Sequence, residues 1–237
     1  MIERSKVKAL AFDFGGTIDS PFLHWMKVYL KVYQEQLHLP LEEEYFRDAY
    51  VYTERELERR QLVKPTDGLL ETQRTKTFLQ FDYLFGHGVL PAEAYNRQQL
   101  AEDAARLVTD FSQRSVEANK PVLELLSRNF PLHIVSNYYG NLSTLVHQAG
   151  LSPFFKSITD STVVGIRKPD PAIWAHAFQA NGLKPEEVVV IGDSYKNDIA
   201  PALSLGCQVI KCCATESDRV EGITCISEFT QLKTFFC

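Results

Sequence analysis

A recurring pattern limits the folds open to this chain: a short apolar run that stops on a small or polar residue. Val7 to Phe12 stops at Asp13-Phe14-Gly15-Gly16-Thr17, and Leu132 to Val135 stops at Ser136-Asn137. Glu187 to Ile191, strongly β-branched, stops at Gly192-Asp193-Ser194. Such runs read as strands of a parallel sheet buried on both faces. Phe154 to Thr159, Cys207 to Lys211 and Ile223 to Ile226 supply further short strands. Helical stretches alternate with them. Pro121 opens one that runs to about Arg128, and another runs from about Asn141 to Gly150. Asp170-Pro171 starts a third, with Asp as cap and Pro in the first turn, which buries Ile173, Trp174, Ala177 and Phe178. A fourth runs from about Asn197 to Leu205, and a terminal helix starts at Glu228. The alternation implies an α/β fold: a doubly wound parallel sheet with helices on both faces.

Between the first run and Pro121 the character changes to helical periodicity. Asp19 or Ser20 is placed to cap a helix with Pro21 in its first turn. Trp25, Tyr29, Val32 and Tyr33 share one helical face, and Tyr45, Phe46, Ala49, Tyr50 and Thr53 share another. Lys64 to Gly68 breaks the pattern before helices over Leu69 to Phe85 and about Pro91 to Thr109. Residues 20–114 therefore read as a helical insertion, with 1–19 and 115–237 forming the α/β core. Arg55, Arg59 and Arg60 alternate with Glu54, Glu56 and Glu58, as on a solvated helix face.

Composition removes several classes of function. A net charge of −5 gives no basic footprint for nucleic acid. No apolar run is long enough to span a membrane, and the apolar run near the N-terminus is too short for a signal peptide. The five cysteines include no C-x-x-C pair, and their number is odd. Reduced thiols and a cytoplasmic protein fit better than a disulfide framework.

Parallel strands bring their C-terminal ends to one rim, so Asp13, Ser136 and Asp193 can converge, joined by Lys168 ahead of a helix N-terminus. Asp13 and Asp193 suit a hard cation such as Mg²⁺. Ser136 can hold phosphate oxygens, and Lys168 can neutralise a carboxylate nucleophile and phosphoryl charge. Asp198 can point back to orient Lys168 or metal-bound water.

These residues resemble the four motifs of the haloacid dehalogenase-like hydrolase superfamily, mostly phosphatases. Asp13-Phe14-Gly15-Gly16-Thr17 is similar to the first, D-x-D-x-T, and Ile134-Val135-Ser136-Asn137 to the second. Gly165 to Pro171, with Lys168, resembles the third, and Gly192-Asp193-Ser194 through Asp198 the fourth. The resemblance implies that Asp13 is a nucleophile forming an aspartyl-phosphate and that Lys168 steadies its charge. It implies Mg²⁺ held by Asp13, the Gly15 carbonyl and Asp193. Ser136 and Asn137 would bind phosphate, with Thr17 and Asp198 behind them. The insertion would be the family's α-helical cap, closing over a small phosphorylated substrate; a monomer or homodimer is expected.

Gly15 departs from that pattern. The family's phosphatases carry there the Asp that moves protons, a contribution of ~10²–10⁴-fold. Asp19, His24 and Lys27 are the candidate substitutes. A small residue at this position also resembles phosphonoacetaldehyde hydrolases, which use a cap lysine; Lys27, Lys31, Lys64 and Lys76 are the candidates. That branch usually has Arg where this chain has Lys168. The 2-haloacid dehalogenases lack the metal aspartate, and Asp193 argues against them. A non-catalytic homologue that binds a phosphorylated ligand or a protein is the remaining alternative. Tyr138 and Tyr139 either line the entrance or pack under the cap. His133 is expected to be packed in its strand, His176 on a helix surface, and Cys212-Cys213 buried in a strand.

Overall fold

The structure, a computed structural model, describes residues 2–237. In chain order its regular elements are β1 (Ala9–Phe12), α1 (Trp25–Glu35), α2 (Glu43–Arg60), α3 (Leu69–Gly86) and α4 (Arg97–Ser127), followed by β2 (Leu132–Ser136), α5 (Leu142–Gln148) and β3 (Phe155–Asp160). Then come α6 (Ser161–Val164), α7 (Ala172–Ala180), β4 (Val188–Gly192), α8 (Ala200–Ser204), β5 (Gln208–Cys212), β6 (Thr224–Ile226) and α9 (Leu232–Phe236). The six strands are parallel, in the order β3-β2-β1-β4-β5-β6. The chain winds outward from β1 to β3 and returns to place β4 against β1. The strand order therefore reverses between β1 and β4, the point where open α/β sheets form their crevice.

Period-two alternation sorts the strand residues into two cores. Leu10, Phe12, Ile134, Val189 and Ile191 pack with Val122, Leu123 and Leu126 of α4 and with Leu145 and Val146 of α5. Ala9, Ala11, Val135, Val188 and Val190 pack with Ile173, Trp174 and Phe178 of α7. The two alanines of β1 lie in the cluster that accommodates the bulk of Trp174. A third cluster belongs to the helical insertion: Tyr29, Tyr33, Phe46, Phe81 and Val108 are all fully buried.

Several expectations change. Pro121 does not open a helix. It lies inside α4, a continuous helix of 31 residues that crosses position 114/115. Proline gives up one backbone hydrogen bond there, but continuing the helix keeps Val116, Val122, Leu123 and Leu126 on one buried face. The N-terminal half of the same helix places Ala101, Ala104 and Val108 in the insertion's cluster. Neither Asp19 nor Ser20 caps α1; His24 does, its Nδ1 accepting from the Met26 amide at 3.2 Å. Tyr45 does not share the buried face of its neighbours and is 55% exposed. Cys213 and Cys225 form a disulfide with Cα atoms 6.3 Å apart, against the expectation of reduced thiols. Register explains the pairing, since β5 and β6 lie side by side with Lys211 opposite Cys225. Cys207, Cys212 and Cys237 are free.

Candidate active site

Each central strand ends where its apolar run ends, and the next side chain emerges at the rim. Asp13 follows β1, Ser136 closes β2 and Asp193 follows β4, and all three line one cavity of about 280 Å³ with Lys168 and Asp198. Asp13 Oδ1 accepts hydrogen bonds from Ser136 Oγ at 2.8 Å and from Lys168 Nζ at 2.6 Å. Lys168 Nζ also donates to Asp198 Oδ1 at 2.6 Å. Asp198 Oδ2 in turn accepts from the Ser194 amide, which ties it to the turn after β4. Thr17 Oγ1 accepts from the Asp193 amide at 3.1 Å and lies 3.5 Å from Asp13 Oδ2.

Two glycines are required by this packing. Gly16 has φ +92°, and a Cβ there would come within 2.8–2.9 Å of the Asp193 carboxylate. At Gly192 a Cβ would collide with Asp198 at 2.6 Å. Any larger residue at either site would displace an acidic group of the cluster.

Electrostatics follow from burial. Desolvation opposes the charge on Lys168, but Asp13 and Asp198 outweigh it and hold its pKa above the ordinary lysine value. Burial and the neighbouring carboxylates of Asp13 and Asp198 push Asp193 well above the usual carboxylate range. Burial raises Asp198 to about 6. Asp13, Asp193 and Asp198 bring carboxylate oxygens within 4.8 Å of one another. With all three ionised, as a bound cation would favour, three carboxylates against one ammonium leave two negative charges, which a divalent cation with oxygen ligands would match. The donor set therefore fits Mg²⁺.

Asn137 has a different partner from the expected phosphate. Its Oδ1 accepts from the Lys168 amide at 2.8 Å, and its Nδ2 donates to the Lys168 carbonyl at 3.0 Å. The side chain clamps the loop that carries Lys168. Asp19 is buried but does not line the cavity; Oδ1 accepts from the Gly16 amide at 2.8 Å and Oδ2 from Trp25 Nε1 at 2.9 Å. Its pKa is raised to about 7 by burial. Lys27 is half-exposed and pairs with Glu43, and Lys31 and Lys64 are exposed.

Lys76 is the exception among the four lysines. It lies on α3, is 4% exposed and lines the cavity. Its Nζ sits 2.7 Å from Glu54 Oε1, donates to Tyr139 Oη at 2.8 Å and lies within 6.0 Å of the ring centres of Trp25, Tyr29, Tyr50 and Tyr139. Tyr139 Oη donates to Glu54 Oε2 at 2.6 Å. Glu54 thus leaves the solvated face on which its sequence neighbours Glu56 and Arg59 pair. Tyr138 and Tyr139 both line the cavity, and Tyr138 also packs edge-on against Phe14. His133 is packed, bonded to Ser157 at 2.7 Å, and His176 is exposed. Nothing in the spacing of α3 singles out Lys76: Thr72, Gln73, Thr77 and Gln80 are buried polar residues on the same helix.

The profile of haloacid dehalogenase-like hydrolases matches residues 7–206. The chain belongs to this family. Among similar proteins, glyceraldehyde 3-phosphate phosphatase of Methanothermobacter thermautotrophicus is 30% identical over 47% of this chain and 54% of its own length. Haloacid dehalogenase-like hydrolase domain-containing protein 3 of Bos taurus is 32% identical over 46% of this chain and 45% of its own. Phosphoglycolate phosphatase of Chromobacterium violaceum is 32% identical over 36% and 39%. These alignments span about half the relatives' length or less. In three dimensions the chain is similar to the HAD-hydrolase YfnB of Bacillus subtilis, solved bound to magnesium, with TM-score 0.60 and 19% identity over 97% of this chain and 98% of that one. The L-2-haloacid dehalogenase RSc1362 gives TM-score 0.64 and 19% identity over 97% and 98%. At such identities the likeness shows the shared fold alone.

Proposed function

We propose that the chain is a Mg²⁺-dependent phosphatase that hydrolyses a small phosphorylated metabolite through an aspartyl-phosphate on Asp13. One observation carries this reading: Oδ1 of Asp13 is held by both Ser136 and Lys168, whereas Oδ2 has only the 3.5 Å contact from Thr17 among the described residues. A carboxylate anchored through one oxygen presents the other as a nucleophile. Attack by Asp13 on phosphorus breaks the bond to the leaving-group oxygen, and water then cleaves the aspartyl-phosphate. Ser136 and Lys168 balance charge on the transferring group, Asn137 fixes the Lys168 loop and Asp198 orients the Lys168 ammonium. Asp13, Asp193 and the Gly15 carbonyl would hold Mg²⁺, which when bound neutralises phosphoryl charge. The phosphatases among the relatives and the small cavity favour a compact substrate. A cytoplasmic monomer or homodimer belongs to the same reading; among the described residues no helix is long and apolar enough to cross a membrane.

Phosphate release from p-nitrophenyl phosphate, glyceraldehyde 3-phosphate and phosphoglycolate, with Mg²⁺ and with EDTA, tests this beside Asp13→Asn. Turnover that requires both Mg²⁺ and Asp13 is expected. Turnover indifferent to either overturns the reading, and a folded protein that releases nothing points to a binding homologue.

Lys76 supports a second reading, a carbon–phosphorus hydrolase in which a cap lysine forms a Schiff base, because it is a buried amine beside the small residue at position 15. Borohydride treatment with phosphonoacetaldehyde would then add mass at Lys76. An unmodified lysine removes that reading.

A further inference from the structure

Building on the phosphatase reading, we infer that Lys76 performs the proton transfer for which Gly15 has no side chain. The position is right. A Cβ at residue 15 would lie 3.7 Å from Cδ1 and Nε1 of Trp25, and Lys76 Nζ lies 6.0 Å from the centre of the Trp25 ring. The space beside Gly15 is thus bordered by Trp25, and the Lys76 ammonium stands over the same indole. Two of its contacts go to Glu54 and Tyr139, which leaves a third N–H for a substrate oxygen.

Four other titratable groups in and around the cavity are engaged elsewhere. Both Asp19 oxygens are engaged by Gly16 and Trp25. His24 uses Nδ1 to cap α1, and burial lowers its pKa, which disfavours the protonated form a general acid needs. Asp193 and Asp198 belong to the acidic cluster and the Lys168 pair. A buried ammonium also needs a reason to be there, since desolvating it costs stability that an apolar residue would not. Glu54 faces that ammonium as its counter-charge. It borders both the catalytic cavity and a second cavity of about 450 Å³, shared through Glu54, Tyr139 and Arg167.

The proton count closes. As Asp13 attacks and the phosphorus–oxygen bond breaks, a proton passes from Lys76 Nζ to the leaving oxygen, and an alcohol departs. The neutral amine then takes a proton from water as that water attacks the aspartyl-phosphate, and Lys76 ends protonated.

Leaving-group dependence separates this role from binding or packing. Glycerol phosphate has an alkoxide leaving group that must be protonated; p-nitrophenyl phosphate leaves as a stable anion. Lys76→Met should reduce kcat on glycerol phosphate ~10²–10⁴-fold and on the aryl ester by less than ~10-fold. Lys76→Arg keeps the charge but holds its proton too tightly to transfer it, and should show the same selective loss. Gly15→Asp in the Lys76→Met background should recover alkyl turnover. Equal losses on the two esters, or alkyl turnover retained in Lys76→Arg, overturn the role of Lys76 alone. Should Lys76→Met melt below the assay temperature by circular dichroism, the alkyl-to-aryl ratio of Lys76→Arg decides. A wild-type protein that shows no Asp13-dependent phosphate release overturns the phosphatase reading, and this role with it.

Discussion

Lys168 and Lys76 line one cavity, and both are 4% exposed. Lys168 stands among strand ends, between Asp13 and Asp198, with its Nζ 5.1 Å from the Trp174 ring centre. Lys76 stands among helices, against one carboxylate and four aromatic rings. The two solve the desolvation problem differently. Lys168 is held by full charges on a sheet rim whose geometry the backbone ladder sets. Lys76 is held by one charge, one hydroxyl and ring faces, on helices whose mutual packing sets the distance. On the proposed mechanism the first arrangement would supply fixed charge at the reacting phosphate, and the second a group that gives up and regains a proton.

The strongest test of the rim is Asp13→Asn. It removes the proposed nucleophile and should cost turnover on the order of 10⁴-fold or more on every ester, read as phosphate release. Lys168→Met should follow, with a loss of about 10²–10³-fold that is the same for alkyl and aryl esters. It should also destabilise the fold by about 3–5 kcal/mol in urea titrations, because Asp13 and Asp198 lose their shared cation. A leaving-group-selective loss at Lys168 would erase the distinction between the two lysines.

The stretch between the rim and the helical insertion has its own signature in Asp19. Its folded pKa is raised to about 7 from an ordinary value near 4. Below both values the group is protonated in folded and unfolded chains alike, and its neutral form sits comfortably in the fold. Between them the unfolded chain releases the proton and the folded one keeps it, so stability falls as pH rises from about 4 to about 7. Asp193 and Asp198 titrate upward as well. The comparison is therefore with Asp19→Asn, whose urea midpoint should fall less between pH 5 and pH 7.5 than the wild type's. Parallel midpoints would place the Asp19 charge in contact with water. The smallest effect belongs to the pair on α2 and α3. A double-mutant cycle of Glu54→Gln and Lys76→Gln should give a coupling of about 1 kcal/mol in the same titrations, and a coupling of zero would detach Glu54 from Lys76.

The strands and their ends were legible because a buried parallel strand must be apolar throughout and must stop where a polar side chain appears. Asp13, Ser136 and Asp193 carry that signal, and the cavity holds all three. Asn137 was legible as a rim residue, but its clamp on Lys168 depends on a loop 31 positions away. Pro121 reads locally as a helix start because propensity disfavours it inside a helix, while the buried face on either side of it keeps α4 whole. Cys213 and Cys225 lie 12 positions apart, and only the pairing of β5 with β6 brings them together.

By itself the sequence determined the alternating architecture, the residues presented at the rim and the vacancy at position 15, since these follow from backbone periodicity and side-chain chemistry along short stretches. The tertiary structure decided the disulfide, the continuity of α4 and the placing of Lys76 with Glu54 and Tyr139 over the space beside Gly15. Those depend on how helices and strands far apart in the chain pack, and a lysine on a helix is the same letter whether it faces water or a buried carboxylate.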